Sequence, residues 1–230
     1  VLFIVKNYSG DIMNFQMASE MITGVSETVL INDDVAVEDS SYTTGRRGVA
    51  ATVIVEKIVG SLAETGGSLK ECKILGDKVN RNSGSMGVAF SSCTVPAAGK
   101  PTFKLGSDEM EFGVGIHGEP GRRRDKVQPA QEITNELLGA IIEDLKLENN
   151  GEILLFVNGM GGTPLTELYL LYDNAKKTLD DKNIKIARSL VGNYCTSLEM
   201  QGASITITKL DQELKKHWDS PVHTLSLIHI

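Results

Sequence analysis

A histidine set among glycines is the feature of this chain that most directly offers chemistry. In Gly113-Val-Gly-Ile-His-Gly-Glu-Pro-Gly121, His117 and Glu119 are surrounded by Gly113, Gly115, Gly118 and Gly121. Glycine at such positions lets a ligand approach the backbone or lets the chain take positive φ. An imidazole there can serve as acid, base, metal ligand or nucleophile, since an unperturbed pKa of about 6.5 leaves mostly neutral nitrogen at pH 7. The plainer alternative is a strand-end histidine bonded to backbone. Asp11 follows an apolar run and can take a proton from a substrate hydroxyl, or simply cap the helix that begins at Ile12. Lys6, one residue past the same run, can hold an anionic or carbonyl oxygen, or extend out of the strand end into water.

Other candidates carry less. Asn158-Gly-Met-Gly-Gly-Thr-Pro164 resembles a phosphate-cradling turn before a helix, yet it lacks the Lys-Ser/Thr of a P-loop, and close helix-on-strand packing accounts for it equally well. Gly99-Lys100 is followed by Pro101 and is no P-loop either. Arg122-Arg123-Arg124 reads as a solvated surface that can steer an anionic partner. His217, in a charged terminal helix, and His223 and His229, in the tail, read as non-functional. No cluster has metal-ligand spacing, so no protein-held metal is expected.

The elements that must position these residues alternate in type. Val1 to Val5 reads as a buried strand, Ile12 to Met21 as a helix and Thr28 to Ile31 as a second strand. Apolar positions recur at helical spacing from Arg47 to Ala63, stopped by Gly66 and Gly67. Ser68-Leu-Lys-Glu71 is a capping box opening a helix that Gly84 should close. Thr94 to Pro101 is too rich in Pro and Gly for interior helix or central strand, and marks a crossover near Pro96. Met110, Phe112, Val114 and Ile116 alternate with Glu111, Gly113, Gly115 and His117, predicting a strand that carries His117 at its C-terminal end. A helix near Pro129 to Leu145, a strand at Ile153 to Val157, a helix from Thr163, strands near Ile186 to Val191 and Ala203 to Thr208, and a helix at Asp211 to Trp218 complete the series.

Such alternation predicts α/β architecture with ligands beyond the carboxyl ends of strands, at loops 6–11, 115–121 and 158–163. At 230 residues against roughly 150 per domain, one large or two small domains are expected. Hydrophobic residues at 41% and charged residues at 23% describe an ordinary core-forming chain, and a net charge of −7 offers no basic field for nucleic acid or an anionic membrane. The three cysteines Cys72, Cys93 and Cys195 form no C-x-x-C pair, which favours a reducing cytoplasm over a disulfide framework. No membrane span or signal segment is read.

Four segments together are specific enough to carry a family resemblance. They are Val5-Lys-Asn-Tyr-Ser-Gly-Asp11; Asp33-Asp-Val-Ala-Val followed by Thr44-Gly-Arg-Arg-Gly-Val-Ala50; Cys93-Thr-Val-Pro-Ala-Ala-Gly-Lys-Pro101 with Glu109-Met-Glu-Phe-Gly-Val-Gly-Ile-His-Gly-Glu-Pro-Gly121; and Asn158-Gly-Met-Gly-Gly-Thr-Pro-Leu-Thr-Glu-Leu168. From Val1 to about Thr224 the chain resembles the dihydroxyacetone-binding, K-type subunit or domain of dihydroxyacetone kinases.

The resemblance implies a kinase subunit in which a histidine nitrogen adds to the ketone carbon of dihydroxyacetone, giving a covalent hemiaminal. His117 matches that histidine, Asp11 the carboxylate that bonds the hydroxyl to be phosphorylated, and Lys6 a lysine at the substrate site. Such a bond selects ketoses over glycerol, which hydroxyl bonding alone discriminates poorly. No cofactor is expected on this chain. ATP or ADP with Mg belongs to a nucleotide-bearing L-type subunit or fused domain, consumed directly in one branch and recharged through a phosphotransferase relay in the other. A homodimer of two α/β domains with mixed, largely parallel sheets is implied, residues 1–95 forming the C-terminal part of the first and 96–224 the second.

Departures from the family are expected to matter. The family starts well upstream of Val1 and supplies there a Gly-rich loop and a second histidine, so the first domain reads as incomplete at its N-terminus and the fragment as having weak activity or none. The link at Thr23-Gly24-Val25 is short, and residues 225–230 read as a foreign tail. The alternative function is a dihydroxyacetone sensor that controls a transcription regulator; a generic α/β sugar-binding protein is the third reading.

Overall fold

The initial apolar run forms β1 (Leu2–Lys6), and after α1 (Ser9–Met21) the chain returns as β2 (Glu27–Ile31), paired with β1 in parallel. Buried Val5, Val29 and Ile31 anchor this ribbon. The computed structural model describes residues 1–36, 45–119, 121–225 and 227–229, the last two by their backbone. Val37, Thr44 and Pro120 of the quoted motifs therefore lie outside the described residues, as do Ser226 and Ile230 of the tail.

Next come α2 (Ala51–Glu64) and α3 (Leu69–Arg81). Arg47 to Ala50, expected as helix, form the non-helical approach to α2. Gly66, at φ +89°, and Gly67, whose N–H bonds Leu62 O at 2.9 Å, stop α2. The capping box forms, with Glu71 N–H donating to Ser68 Oγ and Ser68 N–H to Glu71 Oε2. Asn82, not Gly84, ends α3, because Gly84 already lies in β3 (Ser83–Ala89).

The Pro/Gly stretch holds a two-residue ribbon, β4 (Thr94–Val95) with β5 (Lys100–Pro101). Then follow β6 (Glu109–Phe112), β7 (Arg123–Lys126) and α4 (Ala130–Leu145). The remainder is β8 (Glu152–Gly159), α5 (Leu165–Asp181), β9 (Lys185–Gly192), β10 (Gly202–Lys209) and α6 (Gln212–Trp218), ending in the ribbon β11 (Val222–His223) and β12 (Ile228–His229).

The larger sheet has the order β7-β6-β3-β10-β8-β9. The class is α/β and the sheets are mixed, with parallel pairs at β1–β2 and β8–β9. In the larger sheet the expected predominance of parallel pairing gives way to antiparallel neighbours from β7 through β8. The reason is connectivity: α5 joins spatially adjacent β8 and β9, whereas α4 separates strands that are not neighbours. β3 lies between β6 and β10, so this sheet runs across the expected boundary at 95/96.

Period-two alternation divides the core. Ile153, Leu155 and Val157 of β8 face α4 and α5, packing with Leu137, Ile141, Leu168 and Leu179, while Leu154 and Phe156 face Ile54 and Ile58 of α2 and Leu75 of α3. Each such fully buried aliphatic side chain contributes about 1.5–3 kcal/mol. Along β3 and β10 the second face is polar: Ser83 Oγ lies 2.7 Å from Thr208 Oγ1, and Ser85 Oγ 2.7 Å from Thr206 Oγ1.

The small sheet joins the large one where β2 runs on into Asp33-Asp34. Asp34 bridges Ser85 in parallel, with Val35 N–H donating to Ser85 O at 2.9 Å and Ser85 N–H to Asp33 O at 2.7 Å. The basic run becomes an edge strand whose Arg123 pairs with Glu136 and Asp125, and whose Arg124 pairs with Glu111. His217 lies in the expected charged terminal helix but is buried, with Nδ1 3.0 Å from Ser61 Oγ. His223 is exposed, and Leu227 of the tail is buried in the core that α2, α3 and α6 share. All three cysteines are free and buried. Among the described residues no helix is long and apolar enough to cross a membrane, and no group of three or more His, Cys, Asp or Glu is placed to hold a metal.

One glycine carries the approach of the 45–50 segment to the strand ends. A Cβ at Gly48 would overlap Ile31 O and fall 2.8 Å from both Asn7 N and Lys6 Cα, all of them backbone. Gly48→Ala is expected to lower stability by about 1–3 kcal/mol, read as a shift in the urea midpoint. An unchanged midpoint would remove this close approach from the account.

Candidate functional site

His117 does not end a strand. β6 stops at Phe112, and Gly113, at φ +71°, turns the chain out of the sheet while its N–H still bonds Gly87 O at 2.7 Å. The loop is closed at its base, because Arg122 N–H donates to Phe112 O and Gly121 N–H to Glu111 Oε1, both at 2.7 Å. Val114 anchors it in a small apolar cluster with Ala89, Cys93, Met160 and Met200. Gly118, at φ +77°, packs over Thr102, whose hydroxyl donates to Gly118 O at 2.9 Å. The result is a rigid, largely buried turn that leaves the His117 side chain 50% exposed.

Beneath that imidazole lies a buried carboxylate. Glu119 Oε2 accepts the His117 backbone N–H at 2.9 Å, and Oε1 lies 3.7 Å from His117 Nδ1. Burial pushes the Glu119 carboxyl up, but hydrogen bonding from His117 and the nearby Arg47 charge outweigh it and hold the group below its ordinary range. Gly115 makes room: a Cβ there would overlap Glu119 Oε2 and fall 2.7 Å from its Cδ and 2.9 Å from Arg47 Nη1.

Arg47 is itself fully buried and ties the turn to the rest of the protein. Its Nε donates to Asp34 Oδ2 at 2.7 Å, and its Nη2 reaches the same oxygen at 2.6 Å and Gly113 O at 2.5 Å. Burial outweighs the arginine's charge at Asp34 and pushes that carboxyl up to about 6. The neighbouring Asp33 accepts from Val49 N–H at 2.7 Å, Ala51 N–H at 2.9 Å and the Ser85 hydroxyl, and burial raises it too.

The other wall comes from the start of α1. Tyr8 is its N-cap residue, and the Tyr8 ring meets the His117 ring edge-on, with centroids 4.2 Å apart and planes at 81°. Burial, then the Glu119 charge, push the Tyr8 hydroxyl upward. Tyr8 OH and Glu119 Oε1 are two of the three buried polar side-chain atoms without a hydrogen-bond partner among the described residues. Two such atoms near one exposed imidazole are polar capacity that the described side chains leave unused.

The expected site residues are brought together in part. Asp11 lies in the first turn of α1, one turn on from Tyr8; it is not the cap, because the helix begins at Ser9. There the helix dipole favours a carboxylate. Lys6 ends β1, and its charge reduces, without cancelling, the rise that burial gives Glu56. It also moderates Cys195, whose thiol burial pushes up to about 12. Among the described residues no hydrogen bond links Lys6, Asp11 and His117. The 158–163 loop is structural. Asn158 Nδ2 donates to Cys195 O at 2.7 Å, and its Oδ1 accepts from Tyr194 and Cys195 N–H, while Gly161 and Gly162 press against the 198–200 backbone. Tyr8, Asp34 and Arg47 carried no expected role, although all three lie within the quoted motifs.

With this geometry in view, the chain's relatives are informative. The Dak1 domain family model matches residues 1–226. The chain belongs to the Dak1 domain family. The dihydroxyacetone-binding subunit DhaK of the PTS-dependent dihydroxyacetone kinase 1 of Listeria innocua is 49% identical over 216 residues, covering 93% of this chain and 66% of that protein. DhaK of the PEP-dependent dihydroxyacetone kinase of Escherichia coli is 44% identical over 254 residues, covering 99% and 71%. Among solved structures, the dihydroxyacetone kinase operon co-activator Dha-DhaQ superposes with a TM-score of 0.87 at 31% identity, covering 96% of this chain and 70% of that one. This Dak1 chain thus spans about two thirds of the length of the curated relatives it matches.

Arg47 is the member of the site whose removal should be most costly. Arg47→Met leaves Asp34 buried without its cation and Gly113 O without its donor, an expected loss of about 3–5 kcal/mol. Urea unfolding monitored by circular dichroism tests this, and a loss below about 1 kcal/mol would mean that the pair does not organise the turn.

Proposed function

We propose that this chain is the dihydroxyacetone-binding part of a dihydroxyacetone kinase, a phosphotransferase, and that His117 captures the ketose covalently. The observation that carries this reading is the presentation of His117: a half-exposed imidazole on a rigid turn, with a buried carboxylate at Nδ1 and an aromatic wall beside it. The names of the relatives supply the ketose and the kinase reaction. A ring nitrogen adds to the ketone carbon, the carbonyl electron pair moves to oxygen, that oxygen takes up one proton and the ring releases one. The hemiaminal therefore adds the whole mass of one dihydroxyacetone.

Asp11 accepts the proton of the hydroxyl to be phosphorylated, and Lys6 holds a substrate oxygen. Among the described residues no hydrogen bond links either to His117, and in this reading both act on the arms of the ketose. The phosphoryl donor comes from a nucleotide-bearing partner with Mg and ATP or ADP, and the PTS- and PEP-dependent relatives favour the relay branch over direct consumption of ATP. The chain works as a homodimer in the cytoplasm. The curated relatives at 49% and 44% identity are kinase subunits, which favours a kinase subunit over a sensor.

Native mass spectrometry of the full-length natural protein with dihydroxyacetone, followed by peptide mapping, tests the capture. An adduct confined to the His117 peptide and absent from His117→Ala is expected; a folded protein without adduct refutes covalent capture. Asp11→Asn should retain the adduct but slow dihydroxyacetone phosphate formation with a nucleotide-bearing partner by roughly 10²–10⁴-fold. Adduct formation without phosphoryl transfer to any such partner would point to a sensor instead.

A further inference from the structure

We propose that Glu119 is a positioning residue for His117, accepting the imidazole Nδ1–H so that Nε2 is the unprotonated nitrogen that bonds the carbonyl carbon. The inference rests on the carbonyl-capture reading above and adds what holds the ring in place.

Three observations converge on it. Glu119 Oε2 is occupied by the backbone N–H of His117, so the carboxylate cannot swing away without breaking that bond at 2.9 Å. Its other oxygen, Oε1, is buried, lacks a hydrogen-bond partner among the described residues, and faces Nδ1 at 3.7 Å. That separation is longer than a hydrogen bond, and a small rotation of the half-exposed ring closes it, whereas Glu119 itself is only 6% exposed and fixed. Finally, hydrogen bonding from His117 and the charge of buried Arg47 hold the carboxyl below its ordinary range, so that it is ionised and able only to accept. An acceptor-only group opposite Nδ1 demands a proton on Nδ1, and a neutral imidazole with Nδ1–H has its lone pair on Nε2. This is the arrangement by which a second carboxylate orients histidine ligands in metal sites, applied here to a carbonyl carbon.

The step balances. The Nε2 lone pair forms the C–N bond while the C=O pair moves to oxygen, which takes a proton from solvent. The ring now carries positive charge and keeps its Nδ1–H, donated to the ionised Glu119, so that the adduct is charge-paired; release of that proton to solvent gives the neutral adduct. Glu119 favours the adduct by accepting from the ring as that charge develops.

A merely structural Glu119 would hold only the backbone N–H, and Glu119→Gln separates the two roles. If the amide oxygen accepts that N–H, the amide NH₂ falls opposite Nδ1 and, as a donor, favours the tautomer with Nε2–H. The full-length protein, wild type and Glu119→Gln, is labelled with ¹⁵N-histidine, and the tautomer of His117 is read by NMR; dihydroxyacetone adduct is then followed by native mass spectrometry and folding by thermal unfolding. Wild type should show Nδ1–H, and the variant a shift toward Nε2–H with adduct formation slowed at least tenfold at little cost in stability. Glu119→Asp, which keeps an acceptor, should recover part of the rate if it folds. A wild-type ring protonated on Nε2, or a folded Gln variant with unchanged tautomer and adduct rate, overturns the proposal. Wild type with Nδ1–H but no adduct strikes down carbonyl capture and leaves the positioning of the ring standing, so the two failures are distinct.

Discussion

Two adjacent buried carboxylates, Asp33 and Asp34, hold together everything on which the His117 turn depends. Burying a carboxylate costs far more than its neighbours can casually return, and these two are compensated in different ways. Asp33 is surrounded by donors from the start of α2 and from Ser85, which ties helix to sheet. Asp34 is met by the Arg47 guanidinium, which runs on to the Gly113 carbonyl where the turn leaves β6. Because the same two residues bridge the end of β2 to β3, the junction between sheets and the base of the site are one structure. Like charges so close cannot both be cheap, and burial raises both groups.

The motif segments converge on this structure from separate places in the chain. The 5–11 segment supplies Tyr8 as a wall, 33–50 supplies Asp33, Asp34 and Arg47, and 93–121 supplies the turn itself with Cys93 behind Gly118. The fourth segment contributes from below, through Met160 in the small cluster that anchors Val114. The glycines therefore have different purposes. Gly113 and Gly118 allow the backbone its positive φ, Gly115 leaves space for a carboxylate and a guanidinium, and Gly161 and Gly162 admit a second stretch of backbone.

The order of helices and strands was legible because periodicity reports which faces are buried, and the helical Ile54, Ile58 and Leu75 and the alternating residues of β8 pack as that signal implies. Strand direction was not legible, since nothing in the local pattern of β3 or β10 states which neighbour it will have. The strand expected to reach His117 failed for a local reason: Gly113 and Gly115 mimic the bare face of an alternating strand, while the positive φ of Gly113 ends it. At the site, His117 was visible from its glycines. Arg47 was hidden because a lone arginine looks solvated until its partner, far along the chain or across the fold, is known. The burial of His217 was not legible either, since charged neighbours on α6 conceal that its own side faces Ser61.

The hydroxyl pairs along β3 and β10 have a consequence for how this sequence can change. Ser83 with Thr208 and Ser85 with Thr206 each bury two groups that satisfy one another away from water. Each serine also donates onward, Ser83 to Val79 O at 2.8 Å and Ser85 to Asp33, so losing a serine hydroxyl strands its threonine partner, whereas losing a threonine hydroxyl leaves its serine bonded. The two strands are therefore coupled in their mutational history, and the coupling has an order: at Ser83 and Thr208 an apolar replacement of the threonine opens the way to one at the serine, while Ser85 stays pinned by Asp33 whatever becomes of Thr206.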